Sequence, residues 1–345
     1  MSPLPTRIGR YTILERLAVG GMAVVYLGFE QGDTGLQRLV VIKQILPNLG
    51  EEETFRRMFM QEARLAAQIS HPNVVEIYEL ATWEEEPFIA MEYVVGVPLN
   101  ILMRQATQRG TLVPVGVAAG IIMQACAGAH AAHEMKDSAG KVANLVHRDL
   151  TPHNLMISES GHVKVLDFGV AKAASNQEQT ATGMLKGKLP YMSPEQLWQS
   201  EIDRRSDVFT LGVVFWELML GSRLFAREAE VATINAVLNS TLPDLRAVRT
   251  DVPKSIIDVA MKALAKDPTE RYPSADDFRR ALQVAVRNES LDATDDAVHD
   301  FVAVQLGTSL QLRRQELQEQ VERSMANFKP PNDLAIASNA EDPKT

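Results

Sequence analysis

The sequence predicts an α+β fold of two lobes, in which a small five-stranded antiparallel sheet with one helix is followed by a larger, mainly helical lobe. Two observations predict this fold. Up to Tyr93, short runs of β-branched apolar residues alternate with polar ones, which is the period of half-buried strands. After Gly96, most segments have the apolar spacing of helices. A cleft between the two lobes is the expected ligand site.

The strands of the small lobe are interrupted by one helical segment. Residues 51–69 carry apolar side chains at helical spacing, and His71-Pro72-Asn73 ends that helix. The remaining segments alternate as strands do, with three strands in 11–30 and 36–44 and one each in 74–80 and 87–93.

The large lobe is predicted to contain six helices and two short strands. The helices are 99–108, 113–135, 203–220, 228–238, 253–265 and 274–287, and the strands are 155–157 and 163–165. The long apolar run 115–135 includes Gln124, His130 and His133, which favours a buried helix over a membrane span.

Composition excludes several classes of protein. Of the 345 residues, 46% are hydrophobic, enough to bury a sizeable core, and the net charge of −9 leaves no basic surface that would indicate a nucleic-acid partner. The N-terminus lacks the apolar core of a signal peptide. The single Cys126 fits a reducing compartment. We therefore expect a cytoplasmic protein with no membrane span.

The C-terminal segment differs in charge from the rest. Residues 289–345 include eleven acidic and five basic residues, a balance of −6. Two amphipathic helices are predicted, 294–305 and 310–325, and their apolar residues either pack on the same domain, mediate dimerisation or recruit a partner. The dimer candidates are Leu310, Leu317, Val321 and Met325. We expect a leader (1–10), a small lobe (11–94), a large lobe (95–288), a helical extension (289–329) and a disordered tail (330–345).

The most informative residues lie in V-H-R-D-L-T-P-H-N (146–154) and V-L-D-F-G (165–169). These segments supply two carboxylates and one amide, on Asp149, Asn154 and Asp167. Oxygen ligands of this kind suit Mg²⁺, and a second carboxylate can orient a hydroxyl nucleophile. The set can therefore handle a nucleotide together with its magnesium ions.

Two features of the small lobe also indicate a nucleotide-binding site. Gly20 and Gly21 connect the first two strands and allow backbone N–H groups to approach phosphate oxygens, although any hairpin can carry such a pair. Lys43, on an otherwise apolar strand, needs a partner. Glu62 on the following helix is the candidate, and the alternative is that Glu62 is simply exposed to solvent.

Together these motifs resemble those of bacterial eukaryotic-like (Hanks-type) serine/threonine protein kinases. The resemblance runs from about Tyr11 to Arg287 and includes M-E-Y-V (91–94), S-P-E (193–195), S-D-V-F-T-L-G (206–212) and D-P-T-E-R-Y (267–272). It implies the two-lobed protein kinase fold. It also implies transfer of the γ-phosphoryl group of ATP, with Mg²⁺ or alternatively Mn²⁺, to Ser or Thr hydroxyls of protein substrates.

The resemblance assigns roles to individual residues. Asp149 would be the catalytic base, Asn154 and Asp167 would bind the metal, and Lys43, paired with Glu62, would hold the phosphates. The nucleotide would contact Leu17, Ala18, Val19, Gly20, Gly21, Val25, Val41, Lys43, Met91, Glu92, Val94, Asn154, Met156 and Asp167. A buried Glu195–Arg271 pair would brace the activation segment, and Asp207 would hold the backbone of His147 and Arg148.

An arginine before the catalytic aspartate is typical of kinases that are switched on by phosphorylation, and Arg148 occupies that position. Thr180 and Thr182 match the positions modified in related bacterial kinases. The resemblance therefore implies autophosphorylation of these threonines, in trans within a transient homodimer. The alternative is that they are ordinary polar residues of a loop.

Two departures from the family pattern are predicted to be linked. Thr151 stands where a lysine is usual, and Lys188, in G-K-L-P-Y (187–191), stands where a threonine is usual. In the common form these side chains touch each other beside the catalytic aspartate. We predict an exchange, in which Lys188 supplies the positive charge and Thr151 donates a hydrogen bond to Asp149. The alternative is weak catalysis with Lys188 in solvent.

Two other functions stay open at this point. Ala18, Ala23 and Thr151 leave room for a pseudokinase, a nucleotide-binding or scaffolding module without chemistry. A small-molecule phosphotransferase of related fold is the other alternative, and the threonine-bearing loop before S-P-E argues against it, as does Arg271.

Overall fold

A six-stranded antiparallel sheet with the order β1-β2-β3-β4-β6-β5 forms the small lobe. Its strands are β1 (Arg7–Ile8), β2 (Tyr11–Val19), β3 (Ala23–Gln31), β4 (Gln37–Ile45), β5 (Ile77–Trp83) and β6 (Glu86–Glu92), with helix α1 (Glu53–Ala66) between β4 and β5. The structure, a computed structural model, describes residues 4–20, 23–31, 37–46, 53–136, 140–168 and 187–326.

The expectation of five strands was wrong by one. The additional strand β1 pairs with β2, Ile8 opposite Tyr11, and both side chains are buried. Gly9 between them has φ 56°, a left-handed conformation that glycine adopts without strain, so the chain reverses at once. A strand of two residues is too short to show alternation in the sequence.

The register of the sheet places Lys43 at the cleft. Lys43 pairs with Val25 on β3 and with Ile89 on β6, and Val41 pairs with Met91. Helix α1 covers the same face, where Phe59 and Ala63 join an apolar cluster with Ile89 and Met91. The β2–β3 pairing has register shifts on either side of Glu15 and Arg16, and such bulges increase strand twist near the turn at Gly20.

The large lobe consists mainly of helices around one core. They are α2 (Leu99–Gln108), α3 (Val115–His133), α4 (Pro194–Leu197), α5 (Arg204–Leu220), α6 (Glu230–Asn239), α7 (Leu245–Val248), α8 (Lys254–Ala263) and α9 (Ala275–Asn288). Within α5, every residue from Ser206 to Met219 is buried. Helix α3 is long and apolar enough to cross a membrane by length and composition, but most of it is buried inside this lobe. The sequence prediction of a buried helix is confirmed.

A second sheet presents the two segments that are predicted to be catalytic. It contains β7 (Gly96–Pro98), β8 (Leu155–Ser158) and β9 (Val163–Val165), in that order. The predicted catalytic loop, residues 146–154, leads into β8, and residues 166–168 follow β9. Because β8 and β9 form a hairpin, both segments emerge at one end of it, where Leu166 N–H donates to the Asn154 carbonyl at 2.9 Å.

The chain beyond α9 forms one helix, α10 (Asp295–Ala326), where the sequence predicted two. Gly307 lies inside it without breaking it, as an isolated helical glycine can. Of the four dimer candidates, Leu310, Leu317 and Val321 are buried against the chain's own domain. In the structure, this segment packs on its own domain, which is one of the three alternatives that the sequence left open.

Candidate active site

The catalytic loop is anchored from below by Asp207 on α5. The Asp207 carboxylate accepts hydrogen bonds from the His147 N–H and the Arg148 N–H, both at 2.8 Å, and lies 2.7 Å from His133 Nε2. Burial would raise the pKa of Asp207, but its hydrogen bond with His133 and the donor N–H groups hold the pKa below its usual value. The predicted role of Asp207 is confirmed.

This anchor maintains a strained backbone. Arg148 has φ 65°, a conformation rare for a residue with a long side chain, and Asp167 has φ 45°. Each such residue costs about 1–3 kcal/mol and persists only where its surroundings enforce it. At Arg148 the N–H is held by Asp207, and the carbonyl accepts a hydrogen bond from Gln196 Nε2 at 3.0 Å.

Asp149 is 5% exposed and is surrounded by groups that orient it. The Asn154 amide donates to Asp149 Oδ2 at 2.9 Å and to the Asp149 carbonyl at 2.8 Å. The Asp149 N–H donates to His147 Nδ1 at 3.2 Å. Since Asn154 donates through its nitrogen, its amide oxygen is directed elsewhere and can serve as a metal ligand.

The structure brings Lys188 to Asp149, with 3.2 Å between Lys188 Nζ and Asp149 Oδ2. Lys188 precedes a 3₁₀ turn, Leu189–Tyr191, whose residues are all buried, so the position of its backbone is fixed. Its side chain is 34% exposed, so it is partly accessible to solvent. A positive charge therefore stands beside the carboxylate in the catalytic loop.

Thr151 lies in the same loop. It is 5% exposed, and its carbonyl accepts the Asn154 N–H at 2.9 Å. The lysine half of the predicted exchange is thus present in the geometry, and the hydrogen bond from the Thr151 hydroxyl to Asp149 stays a prediction.

The two lobes meet in an ion pair between Lys43 on β4 and Asp167 after β9, with 2.9 Å between Nζ and Oδ1. Phe168 next to it is buried against His147, at 4.8 Å between ring centroids, which ties Asp167 to the catalytic loop. Glu62 lies on α1, but its side chain falls outside the described part, so the predicted Lys43–Glu62 pair stays a prediction.

The predicted nucleotide residues come from both lobes. Met91 and Val94 are buried, Val25, Val41, Glu92 and Met156 are half-buried, and Leu17, Ala18, Val19 and Gly20 are exposed along β2 and its turn. Gly21 lies outside the described residues. The Val94 N–H donates to no protein atom of the described chain, so it is available to a ligand. Behind Lys43 and Phe168 lies a small apolar cavity of about 40 Å³.

Glu195 and Arg271 form the predicted buried pair. The Arg271 guanidinium donates to both Glu195 oxygens at 2.7 and 2.8 Å, and Ser206 Oγ donates to the same carboxylate at 2.5 Å. Burial would raise the pKa of Glu195, but Arg271 holds it below its usual value. Thr180 and Thr182 lie outside the described residues, so their predicted phosphorylation is not addressed by the geometry.

A larger cavity of about 390 Å³ adjoins the catalytic loop on the other side. Pro152 and His153 form one wall, and the buried Glu217 of α5 lies at its base. Glu217 accepts from Tyr191 Oη at 2.8 Å and lies 3.2 Å from Arg223 Nη1. Burial raises the pKa of Glu217 to about 8, against an ordinary value of 4.5.

Sequence reasoning missed three residues that support this site. Gln196 holds Arg148 and caps α4 together with Ser193, and the pattern S-x-x-Q is a recognisable capping signal. His133 supports Asp207, and a histidine inside an apolar helix was the available sign. Glu217 was likewise visible as a lone acid inside the apolar helix α5.

Comparison with known proteins agrees with this geometry. The family described as protein kinase domain matches residues 11–283. The chain is 43% identical over 281 residues to a protein named tyrosine-protein kinase MasK of Myxococcus xanthus, covering 81% of this chain and 44% of that protein. It is 35% identical over 284 residues to serine/threonine-protein kinase PrkC of Bacillus subtilis, covering 82% and 42%. The chain thus spans less than half the length of these relatives.

A solved structure supports the fold independently. The kinase domain of PknI from Mycobacterium tuberculosis aligns with a TM-score of 0.60 at 24% identity, covering 82% of this chain and all of that one. This likeness concerns the fold alone. With the family match over residues 11–283 and the similarity to bacterial kinases such as PrkC, the chain belongs to the protein kinase domain family and is a bacterial Hanks-type kinase.

Proposed function

We propose that this protein kinase transfers the γ-phosphoryl group of ATP to Ser or Thr hydroxyls of protein substrates. The observation that carries the proposal is the environment of Asp149, which is buried, oriented by Asn154 and accompanied by the Lys188 ammonium at 3.2 Å. A carboxylate placed in this way can accept the proton of a hydroxyl group as its oxygen attacks phosphorus.

The metal ligands fit a hard divalent cation. The Asn154 amide oxygen and the Asp167 carboxylate, which is 38% exposed, are oxygen donors of the kind that Mg²⁺ prefers, and Mn²⁺ accepts similar ligands. When bound with ATP, the ion would neutralise charge on the phosphate oxygens. Lys43, beside Asp167, would hold the phosphates from the small lobe.

Lys188 has a distinct role in this proposal. In related kinases, a lysine two residues after the catalytic aspartate usually supplies the positive charge beside it. Here the ammonium group of Lys188 lies beside Asp149 instead, and it would stabilise the negative charge on the transferred phosphoryl group. Preorganised charges of this kind are typically the largest single contribution to catalysis. Thr151 stands at the sequence position where that lysine is usual.

The test is transfer of labelled phosphate from ATP to a generic basic protein, comparing the wild type with Asp149→Asn. Loss of transfer with nucleotide binding retained would support a kinase. Equal, weak transfer in both proteins would instead favour the pseudokinase alternative, which Ala18, Ala23 and Thr151 keep open. Binding of Mg-ATP, measured by calorimetry, separates a nucleotide-binding pseudokinase from a scaffold without nucleotide.

A second acceptor specificity deserves a direct experiment, because the relative MasK is named a tyrosine kinase whereas PrkC is named a serine/threonine kinase. We favour Ser and Thr on the sequence motifs. Phosphoamino acid analysis of the labelled product decides between them, and phosphotyrosine as the main product would overturn our choice.

We further propose that the kinase is activated by autophosphorylation at Thr180 and Thr182, in trans within a transient homodimer. A phosphate adds about −1.5 to −2 charge, which Arg148 before the base can bind bidentately. Incubation with Mg-ATP followed by phosphopeptide mapping tests this step, and absence of phosphate on both threonines would exclude it.

The proposal also places the kinase in the cytoplasm, where ATP and protein substrates are available.

A further inference from the structure

Helix α10 begins in a site on the large lobe that is shaped to receive it. Val298, Phe301 and Val302 join the large-lobe core. Nearby glycines allow the chain entering the helix to approach closely: a Cβ built on Gly116 would lie 2.0 Å from the Asp292 carbonyl oxygen, and one on Gly161 would lie 2.2 Å from that of Asp295. Backbone contacts this close fix the start of α10 against the large lobe.

The other half of α10 reaches the small lobe. A helix of 32 residues is about 48 Å long. Leu317 and Val321 are buried beside the segment that connects the lobes, and with Tyr93 of that segment and Leu39 of β4 they line a cavity of about 410 Å³. The helix therefore runs along the outside of the interlobe connection.

Two consecutive arginines bind α10 to different lobes. Arg313 forms a two-pronged ion pair with Glu15 on β2, through Nη2 to Oε1 and through Nη1 to Oε2 at 3.4 Å. Arg314 pairs with Glu159 in the turn between β8 and β9 of the large lobe. Two neighbouring residues of α10 thus form ion pairs with different lobes, Arg313 with the small lobe and Arg314 with the large lobe.

Glu15 is placed where it can influence nucleotide binding. It lies between the two register shifts of β2, two residues before Leu17 at the exposed rim of the cleft. Strand β2 continues to the turn at Gly20, where the Gly20 N–H donates to the Ala23 carbonyl at 2.9 Å. An ion pair that holds Glu15 in place therefore also holds β2, the strand that leads into this turn.

We propose that Arg313 is a positioning residue for nucleotide binding, and that α10 acts as a strap which sets the position of β2 relative to the large lobe. This inference rests on the proposed use of ATP. The arginine touches no substrate and acts through Glu15. The strap holds the cleft in the arrangement in which Lys43 reaches Asp167, so that the nucleotide meets a preorganised site.

The test compares Arg313→Glu, Glu15→Arg and the double exchange Glu15→Arg/Arg313→Glu. Each single variant places two like charges opposite each other in a partly exposed pair. We therefore expect each to raise KM for ATP about three- to tenfold, and to raise Kd for Mg-ATP, measured by calorimetry, by the same factor. The kcat at saturating ATP should stay within about twofold of the wild type, since Asp149 and Lys188 are untouched. The double exchange should restore KM.

Arg314→Glu is the matched control, because it breaks an ion pair of the same helix with the large lobe only. It should leave KM for ATP unchanged. Hydrogen exchange supplies a second readout: amides of Tyr11–Val19 should lose protection in Arg313→Glu and keep it in Arg314→Glu. If the Arg313→Glu protein does not fold, the same measurements are made on the milder variant Arg313→Gln.

The inference is overturned when both arginine variants change KM equally, when neither does, or when the double exchange fails to restore KM. Failure of the proposed function is a separate result, because a wild-type protein that binds no Mg-ATP in calorimetry refutes nucleotide use before any variant is compared.

Discussion

Lys188 Nζ lies 3.2 Å from Asp149 Oδ2, although the two residues are 39 positions apart and belong to segments of different structure. The contact joins a buried carboxylate of the catalytic loop to an ammonium group just before the 3₁₀ turn Leu189–Tyr191 of the same lobe. A cation in this position can act on both the base and the transferred phosphoryl group. The first prediction concerns this pair.

Replacing Lys188 by Ala should lower kcat for phosphoryl transfer about 100- to 1,000-fold, by analogy with loss of one preorganised charge-stabilising group. The variant Thr151→Lys/Lys188→Thr should recover more activity than either single change, because it returns the cation from the other side. Steady-state kinetics with a generic protein substrate measure both effects, and Lys254→Ala on the exposed face of α8 is the control. Unchanged kcat in Lys188→Ala would place the lysine outside catalysis.

The buried Glu195–Arg271 pair should matter far more for stability than a surface pair. Arg271→Met leaves a buried carboxylate without its partner and should lower the free energy of unfolding by about 3–5 kcal/mol. Lys254→Met, which breaks an exposed pair with Asp258 at 2.6 Å, should cost less than about 1 kcal/mol. Urea denaturation compares the two. Adding Glu195→Leu to Arg271→Met should recover part of the loss, and no recovery would indicate that packing, not charge, dominates.

Glu217 should make stability depend on pH. Its pKa is about 8 in the folded protein and ordinarily 4.5, so the folded state binds more protons between these values. The free energy of unfolding should therefore fall as pH rises through this window. The stability of Glu217→Gln relative to the wild type should increase by about 1–3 kcal/mol from the low to the high end of this pH window, since the Leu224 N–H, which donates to Glu217 at 3.0 Å, offsets part of the burial penalty. A difference that stays constant with pH would show that Glu217 is ionised throughout.

The close approach of α3 to the start of α10 gives a stability prediction with an internal control. A Cβ on Gly116 would lie 2.0 Å from the Asp292 carbonyl oxygen, whereas one on Gly307 meets nothing within 4 Å. Gly116→Ala should destabilise the protein by about 1–3 kcal/mol through overpacking. Gly307→Ala should stabilise it by about 0.5–1 kcal/mol through helix propensity. Both replace a helical glycine, so equal effects in denaturant unfolding would contradict the docking of α10.

The sequence predicted local features and motif-based contacts well. Helix 99–108 and strand 163–165 were placed at their observed bounds, and the contacts of Asp207 and of Glu195 with Arg271 were found through the kinase motifs. Each of these depends on a strong local period or on a motif whose geometry is shared by the family.

The remaining features depend on long-range packing that a single sequence does not encode visibly. The left-handed conformation of Arg148 follows from Asp207 and Gln196, residues 59 and 48 positions away. The continuity of α10 through Gly307 follows from its burial against both lobes, which overrides the low helix propensity of glycine. Strand β1 was missed because two residues carry no periodic signal.

The packing of α10 against Gly116 and Gly161 shows that the large lobe extends beyond the end of the family match. The family match stops at residue 283, yet Val298, Phe301 and Leu306 complete the core of the large lobe. Removing the helix would leave these contacts open and expose a contiguous apolar surface of the type that promotes aggregation. The hydrophobic core of this chain therefore extends past the end of the family match, and we expect a truncation at that boundary to remove part of the core.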